Sequence, residues 1–418
     1  MEPGELAEGL GTAASRPPTV CTVTVDPSGD AMGAALARAL QARGPIRLYG
    51  AGGGGMREAG VELLAETTEW SSMGFVGWIG SFPRAAGTNL RLRREIATLG
   101  PDLLVLIDAG AFNIPMARAI KRRRLDQKVL YYVPPRSWSR HWRVGKLGRI
   151  ADYIAAPFPW NTAGDDGTGR VRFVGHPAGD ILAALPGQGE ARQQLGLDPE
   201  GLTLGLLPGS RRLELCVHLP ILLQAARLLR AEFPALQLVL SCARSVSRAQ
   251  VERVVSDAGV GGVRIATGAG MPLRAADVAL VCLGSATLES AALGCPMVTF
   301  YRGTRLQGIE YMIKPPRTPH KALPNIIAGE GVVTEVLQWD VTPERLAREA
   351  SGLLRDPGAR RQAIERLAGV SQQLGARGAV DRAAEAVLDA LYGRWHARAG
   401  LADGPGSGKP AQGLGVQP

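Results

Sequence analysis

Residues 202–214 read Leu-Thr-Leu-Gly-Leu-Leu-Pro-Gly-Ser-Arg-Arg-Leu-Glu. The apolar run from Leu202 to Leu207 stops at a Pro-Gly-Ser-Arg turn, and a helical pattern follows. A strand here feeds a phosphate-sized loop. The N-terminus of a helix offers unpaired N–H groups and a positive dipole end, both suited to an anionic ligand. Arg211 adds a fork of donors that matches a diphosphate. The same residues also describe an ordinary strand–turn–helix corner, so their meaning depends on the rest of the chain.

Outward from that turn, short β runs alternate with helical stretches. In the second half the runs are Leu202–Leu207, Leu236–Leu240, Val263–Ala266, Val278–Cys282 and Met297–Phe300. In the first half they are Val20–Val25, Ile46–Tyr49, Leu103–Ile107, Val129–Val133 and Tyr153–Ala156, with a helix through Met32, Leu36 and Leu40 after the first. That alternation predicts an α/β protein with parallel sheets. Pro and Gly cluster over Ala178 to Gly189, so the boundary is drawn there, giving domains 19–180 and 181–372. Residues 1–18 and 399–418 are expected to be disordered tails. A helical stretch reaching into 373–398 packs back onto the first domain or onto a partner subunit, and its composition does not choose. Open α/β sheets take ligands in the crevice beyond their strand ends.

The 418 residues are 45% apolar and 21% charged, ordinary for a globular protein with real cores. No apolar run of about eighteen residues suggests a transmembrane helix, and Met1 to Pro18 does not read as a secretory signal. Cys21, Cys216, Cys242, Cys282 and Cys295 show neither a zinc spacing nor a disulfide pattern, so reduced, cytoplasmic thiols are expected. The net charge is +10, concentrated between Arg118 and Arg149, where only Asp126 opposes the cations. With Trp138 and Trp142 interleaved, an anionic membrane surface suits this run; nucleic acid competes, as does a merely solvated face.

The remaining loops follow strand ends in a recognisable series. Ser28-Gly29-Asp30 comes first, then Gly52-Gly53-Gly54-Gly55-Met56, Met73-Gly74-Phe75-Val76, and Asp108-Ala109 with Phe112-Asn113. Tyr132-Val133-Pro134-Pro135 with Trp138 and Gly175-His176-Pro177 lead to the Leu206–Arg211 turn. Gly284-Ser285-Ala286-Thr287-Leu288-Glu289 and Leu323-Pro324-Asn325 close the series. In this order and spacing, from Val20 to Leu391, the chain resembles the lipid-A-disaccharide synthase family.

The resemblance implies two Rossmann-like domains of GT-B type facing a central cleft. It implies an inverting, metal-independent glycosyltransferase that moves an acylated glucosamine from UDP to a lipid monosaccharide phosphate. The product is a β(1→6) disaccharide. The expected partners are a UDP-sugar donor, a lipid-phosphate acceptor and an anionic membrane met through residues 118–149, with no nucleic acid and a homodimer left open. No cofactor or metal is expected, and the location implied is the inner face of the cytoplasmic membrane. Alternatives are a related UDP-sugar transferase or epimerase with another acceptor, or a catalytically silent lipid-binding homologue.

Asp108 falls where the family has its candidate base; its other reading is a cap of the following turn. Arg211, with Gly209 and Ser210, would meet the leaving diphosphate. The helix opening at Gly284, Ser285, Ala286 and Thr287 would add donors, and Glu289 would accept from a ribose hydroxyl or stand as an exposed helical Glu. Asn325 would read a uracil edge or support a turn. Ser28, Gly29, Asp30, Met73 and Trp138 are placed on the acceptor side. His176 reads as structural. Three family acids are altered, all in the N-terminal half. Gly-Glu-x-Ser-Gly-Asp reads Val25-Asp26-Pro27-Ser28-Gly29-Asp30, Asp-Ala-Pro-Asp-Phe-Asn reads Asp108-Ala109-Gly110-Ala111-Phe112-Asn113, and Gly77 replaces a Glu. The expectation that follows is a nucleotide-sugar transferase whose acceptor, or donor acyl groups, differ from the lipid A precursors, with loss of activity as the alternative although Asp108 and Arg211 both remain.

Overall fold

The computed structural model describes residues 16–67, 87, 89–243, 246–303, 319–375 and 377–396. Met73, Phe75 and Gly77 lie outside the described residues, as do residues 1–15 and 397–418.

Two parallel sheets form. The first contains β1 (Thr19–Val23), β2 (Arg47–Gly52), β3 (Glu62–Glu66), β4 (Leu103–Ile107), β5 (Val129–Tyr132), β6 (Tyr153–Ala156) and β7 (Val171–Phe173), ordered β3-β2-β1-β4-β5-β6-β7. The second contains β8 (Thr203–Leu207), β9 (Gln237–Cys242), β10 (Val263–Thr267), β11 (Val278–Cys282), β12 (Met297–Tyr301) and β13 (Thr334–Leu337), ordered β10-β9-β8-β11-β12-β13. The central strands read as unbroken apolar runs because helices cover both faces, and every residue of β1, β4, β8 and β11 is buried.

The strand order reverses between β1 and β4 in one sheet and between β8 and β11 in the other. At such a switch point the flanking loops diverge and leave a crevice beyond the strand ends. The loops after β1 and β4 carry Asp26 and Asp108, and those after β8 and β11 carry Arg211 and Ser285. Topology thus aims the four candidate loops at the space between the sheets.

The chain crosses between the domains near Gly175 and again near Gly375. The two glycines pack back to back: a Cβ on Gly375 would lie 3.1 Å from the Gly175 α-carbon, and both have positive φ. His176 N–H donates to the Leu374 carbonyl at 2.7 Å beside them. Beyond this crossing, the helix Ala379–Leu391 returns to the first domain, where Ala383, Ala386, Val387 and Ala390 join the core formed by Val20, Leu36 and Leu103. Arg172 fixes that return through Asp389 at 2.8 Å and by lying 4.3 Å over the Trp395 ring. No helix among the described residues is long and apolar enough to cross a membrane.

Candidate active site

Between the sheets lies a cavity of about 530 Å³. Asp108, Ser28 and Trp138 reach it from the first domain, and Gly284, Ser285 and Glu289 from the second.

Asp108 ends β4 with φ of +45°, and Ala109 repeats that left-handed value before the helix Gly110–Arg123. Two consecutive non-glycine residues in this region are strained, a cost of order 1–3 kcal/mol each that surrounding bonds must hold in place. Those bonds converge on the Asp108 carbonyl. The Tyr131 hydroxyl donates to it at 2.7 Å and the Asn113 amide at 3.0 Å. Asn113 also donates to the Ile107 carbonyl at 3.1 Å. The backbone is therefore locked while the carboxylate is presented to the cavity. Burial, reinforced by the nearby Asp26 carboxylate and offset by the Ala109 N–H, raises the Asp108 carboxyl from 3.8 to about 6. Burial raises Asp26 as well, while the Arg211 guanidinium pulls it down. Asp26 comes from the first sheet and Arg211 from the second, so the two switch points share one electrostatic field.

The second wall is the start of the helix Ser285–Ala292. Gly284 has φ of +153° and ψ of −162°, a conformation that only glycine adopts without strain, so glycine sets the turn into this helix. Ser285 then faces the cavity. Ala286 packs into the second domain's core, and Thr287 is buried with its hydroxyl donating to the Gly284 carbonyl at 2.7 Å. Neither side chain is turned to the cavity. Glu289 lies half-buried in the wall, where burial pushes its carboxyl from 4.5 to about 7.

The Gly209–Arg211 loop stands outside the wall of this cavity. Its donors are engaged by Glu214, one turn into the helix Arg212–Glu232. One carboxylate oxygen accepts from the Ser210 and Arg211 N–H groups at 3.1 and 3.2 Å, and the other meets the Arg211 guanidinium at 2.9 Å. Gly209 takes φ of +113°, and a Cβ there would collide with the Glu214 carboxylate. The loop thus already cradles an anionic group. His218, buried beneath, donates from Nδ1 to the Pro208 carbonyl at 2.8 Å and accepts the Arg302 N–H at Nε2 at 3.2 Å, tying the loop after β8 to the one after β12.

Four residues read from the sequence need correction. Asn325 is buried with its amide fully used: its NH₂ donates to the Val333 carbonyl and the Glu335 carboxylate, and its oxygen accepts from Val332 and Val333 N–H. No donor or acceptor is left for a nucleotide. Asp30 does not face an acceptor. Its carboxylate turns inward to the N–H groups of Gly53, Gly55 and Met56 at 2.7–3.0 Å, closing the glycine-rich loop. Gly29 likewise packs against Thr24, where a side chain would collide, and does not line the cavity. Trp142, read as part of an interfacial pair, is buried with its indole N–H on the Pro135 carbonyl at 3.3 Å. Of the two tryptophans, only Trp138 lines the cavity.

Several residues of the site carried no assignment from the sequence. Tyr131 sits inside β5, and nothing in a strand pattern reveals that its hydroxyl reaches the end of β4. Glu335 in β13 accepts from Lys321 and Ala322 N–H at 3.0–3.1 Å, shaping the segment from His320 to Leu323 that forms the cavity's lower lip. His176, which the sequence reads as structural, lines the cavity too; burial drives it from 6.5 to about 4, and its Nδ1 accepts from Ala178 N–H at 3.2 Å. It is a neutral imidazole with the proton on Nε2.

The profile of the lipid-A-disaccharide synthetase family matches residues 20–387. The lipid-A-disaccharide synthase of Geobacter sulfurreducens is 34% identical over 379 residues, covering 89% of this chain and 97% of its own length. That of Trichlorobacter lovleyi is 36% identical over 381 residues, covering 90% and 98%. Among solved structures, UDP-GlcNAc 2-epimerase from Neisseria meningitidis, bound to UDP-GlcNAc, aligns with a TM-score of 0.60 at 13% identity over 89% of this chain and 100% of its own. The kitacinnamycin glycotransferase aligns at 0.58 with 19% identity, covering 90% and 100%. Identities this low speak for the shared architecture alone, two Rossmann-like sheets across a cleft. Profile and relatives together establish that this chain belongs to the lipid-A-disaccharide synthase family, glycosyltransferases of the GT-B fold.

Proposed function

We propose that the protein transfers an acylated glucosamine from UDP to the hydroxyl of a lipid monosaccharide phosphate, forming a β(1→6) disaccharide and releasing UDP. One observation carries this reading: Asp108, a carboxylate with a left-handed backbone, opposes the Ser285 helix start across a single cavity. The Asp108 carboxylate takes the proton of the acceptor hydroxyl as its oxygen bonds the anomeric carbon. The anomeric C–O bond breaks on the opposite face, and the diphosphate leaves with the electron pair. With a carboxyl near 6, Asp108 is largely ionised at neutral pH and able to accept that proton. Charge developing on the diphosphate meets Arg211 and the N–H groups at the Ser285 helix start.

In this reading the protein works without metal or cofactor at the inner face of the cytoplasmic membrane. The test is UDP release by the purified protein with UDP-2,3-diacylglucosamine and a diacylglucosamine 1-phosphate acceptor in detergent micelles, with the product identified by mass. A disaccharide phosphate is expected. Hydrolysis or epimerisation of the UDP-sugar in the absence of acceptor would replace the reading with its rival, and no affinity for UDP would end it.

A further inference from the structure

A second cavity, about 600 Å³, adjoins the first behind Pro135. The partition is thin. A Cβ on Gly110 would lie 2.7 Å from the Pro135 ring, and Arg136 lines both cavities. Arg136 has φ of +61°, another left-handed non-glycine residue held at the edge of the reaction cleft. Arg118, Arg143 and Lys146 complete the charged part of the lining, and no carboxylate belongs to it. Other cations of the same run are committed elsewhere: Lys121 to Asp152 at 2.7 Å, and Arg140 to the Ile327 carbonyl and Gln373 across the domain boundary. Arg118, Arg136, Arg143 and Lys146 make no ion pair among the described residues. The one position on this wall where the family pattern carries an acid is Ala111 here. The floor is apolar, formed by Trp142, Val144 and Leu147.

We propose that this cavity is a phosphate-monoester subsite, holding the phosphate of the lipid acceptor while the acceptor's sugar reaches Asp108 past Arg136. Four exposed cations gathered without a counter-acid favour an anion of more than one charge, and a phosphate monoester supplies it with oxygens matched to arginine forks. The apolar floor suits the first methylenes of a chain attached to the same molecule. Arg136, shared by both cavities, ties the two ends of the acceptor together. The inference rests on the transferase reading above, and its test separates the two.

Arg143 and Lys146 are both exposed, so the double variant Arg143→Gln, Lys146→Gln should fold. UDP release is measured in non-ionic micelles with the phosphorylated acceptor and with its dephosphorylated analogue. The variant is expected to raise the KM of the phosphorylated acceptor roughly tenfold or more, the loss of two charge-assisted bonds, with the KM of the analogue and of the UDP-sugar unchanged. An equal effect on both acceptors overturns the proposal. So does a variant that loses only its sedimentation with phosphatidylglycerol vesicles, because the cations would then serve the bilayer and not the acceptor. If the unaltered protein makes no disaccharide, the transferase reading fails by itself. The subsite is then judged by ³¹P line broadening of glucosamine 1-phosphate: broadening by the unaltered protein and not by the variant keeps it, and no broadening by either overturns it.

Discussion

Replacing Asp108 by Asn should abolish turnover and make the protein more stable, and the second effect tests the physical reasoning more sharply than the first. Burial and the Asp26 charge move the Asp108 carboxyl from 3.8 to about 6. Folding therefore favours the protonated acid. That contribution is fully present below the unfolded value near 4 and is lost as pH rises through about 6. A displacement of about two pH units is worth ~3 kcal/mol at most. Asn carries no charge to desolvate and tolerates a left-handed φ as well as Asp does. The Tyr131 and Asn113 bonds, which end on the backbone carbonyl, survive the change. At pH 8 the variant should melt higher than the parent, by up to about 2–4 °C per kcal/mol for a domain of this size. Near pH 4 the two should melt together. Turnover should fall by ~10²–10⁴. A variant that melts lower at pH 8, or by an amount independent of pH, would refute the desolvated carboxylate; turnover within a few-fold of the parent would remove Asp108 as the base.

Other perturbations follow from the same contacts. His176 folds neutral, displaced from 6.5 to about 4, so its contribution is whole above pH 6.5 and declines as pH falls through about 4. The variant His176→Asn should accordingly melt with a shallower acid dependence in that window, and an identical slope would discard the buried neutral ring. Asn325→Leu strips bonds to Val332, Val333 and Glu335 and should cost roughly 2–4 kcal/mol of stability while UDP affinity, measured well below the melt, stays the same. Lost UDP affinity in a protein of unchanged stability would restore Asn325 as a nucleotide contact. Glu214→Ala releases the Ser210 and Arg211 N–H groups and the Arg211 guanidinium together. The donor KM should rise about tenfold with the acceptor KM unmoved, by the size of a charge-assisted bond; an unchanged donor KM would reduce Glu214 to a helix cap.

What the sequence made legible divides along burial. Central strands such as Leu103–Ile107 and Val278–Cys282 appear at their observed bounds because both faces are covered and the apolar run has no reason to break. The strands that escaped notice, Glu62–Glu66, Val171–Phe173 and Thr334–Leu337, are sheet edges, part-exposed and interrupted by polar residues. The site divides differently. Asp108 and Ser285 reach the cavity as the sequence leads one to expect, because a loop after a strand needs no tertiary knowledge to be placed beyond the sheet. Asn325 and Asp30 misled because a polar side chain in a loop looks the same whether it binds a ligand or the chain's own amides. Only the partners decide, and those lie 7 to 26 residues away in sequence. The basic run shows the same limit. Its cations separate into a helix C-terminal turn at Lys121, Arg122 and Arg123, a domain bridge at Arg140 and a cavity lining, distinctions that charge counting does not contain.

The electrostatics of the cleft bear on how its base and its leaving-group contacts cooperate. Asp26, Asp108 and Glu289 are all raised by burial, and Asp26 raises Asp108 further. A diphosphate entering between the sheets adds negative charge to the same field, which increases the proton affinity of every carboxylate it faces. For Asp108 this is the useful direction in the proposed transfer, which asks it to take a proton from a hydroxyl that gives it up reluctantly. The limit is that Asp108 must stay ionised until the acceptor arrives. Arg211 works against that limit, because pulling Asp26 down from the opposite sheet keeps it ionised and so sustains the charge that raises Asp108. In the proposed transfer, Arg211 would act on Asp108 only through the ionisation of Asp26. A donor that drew Arg211 toward its phosphates would let Asp26 take up a proton and push less on Asp108, while the charge of the diphosphate itself pushes Asp108 up.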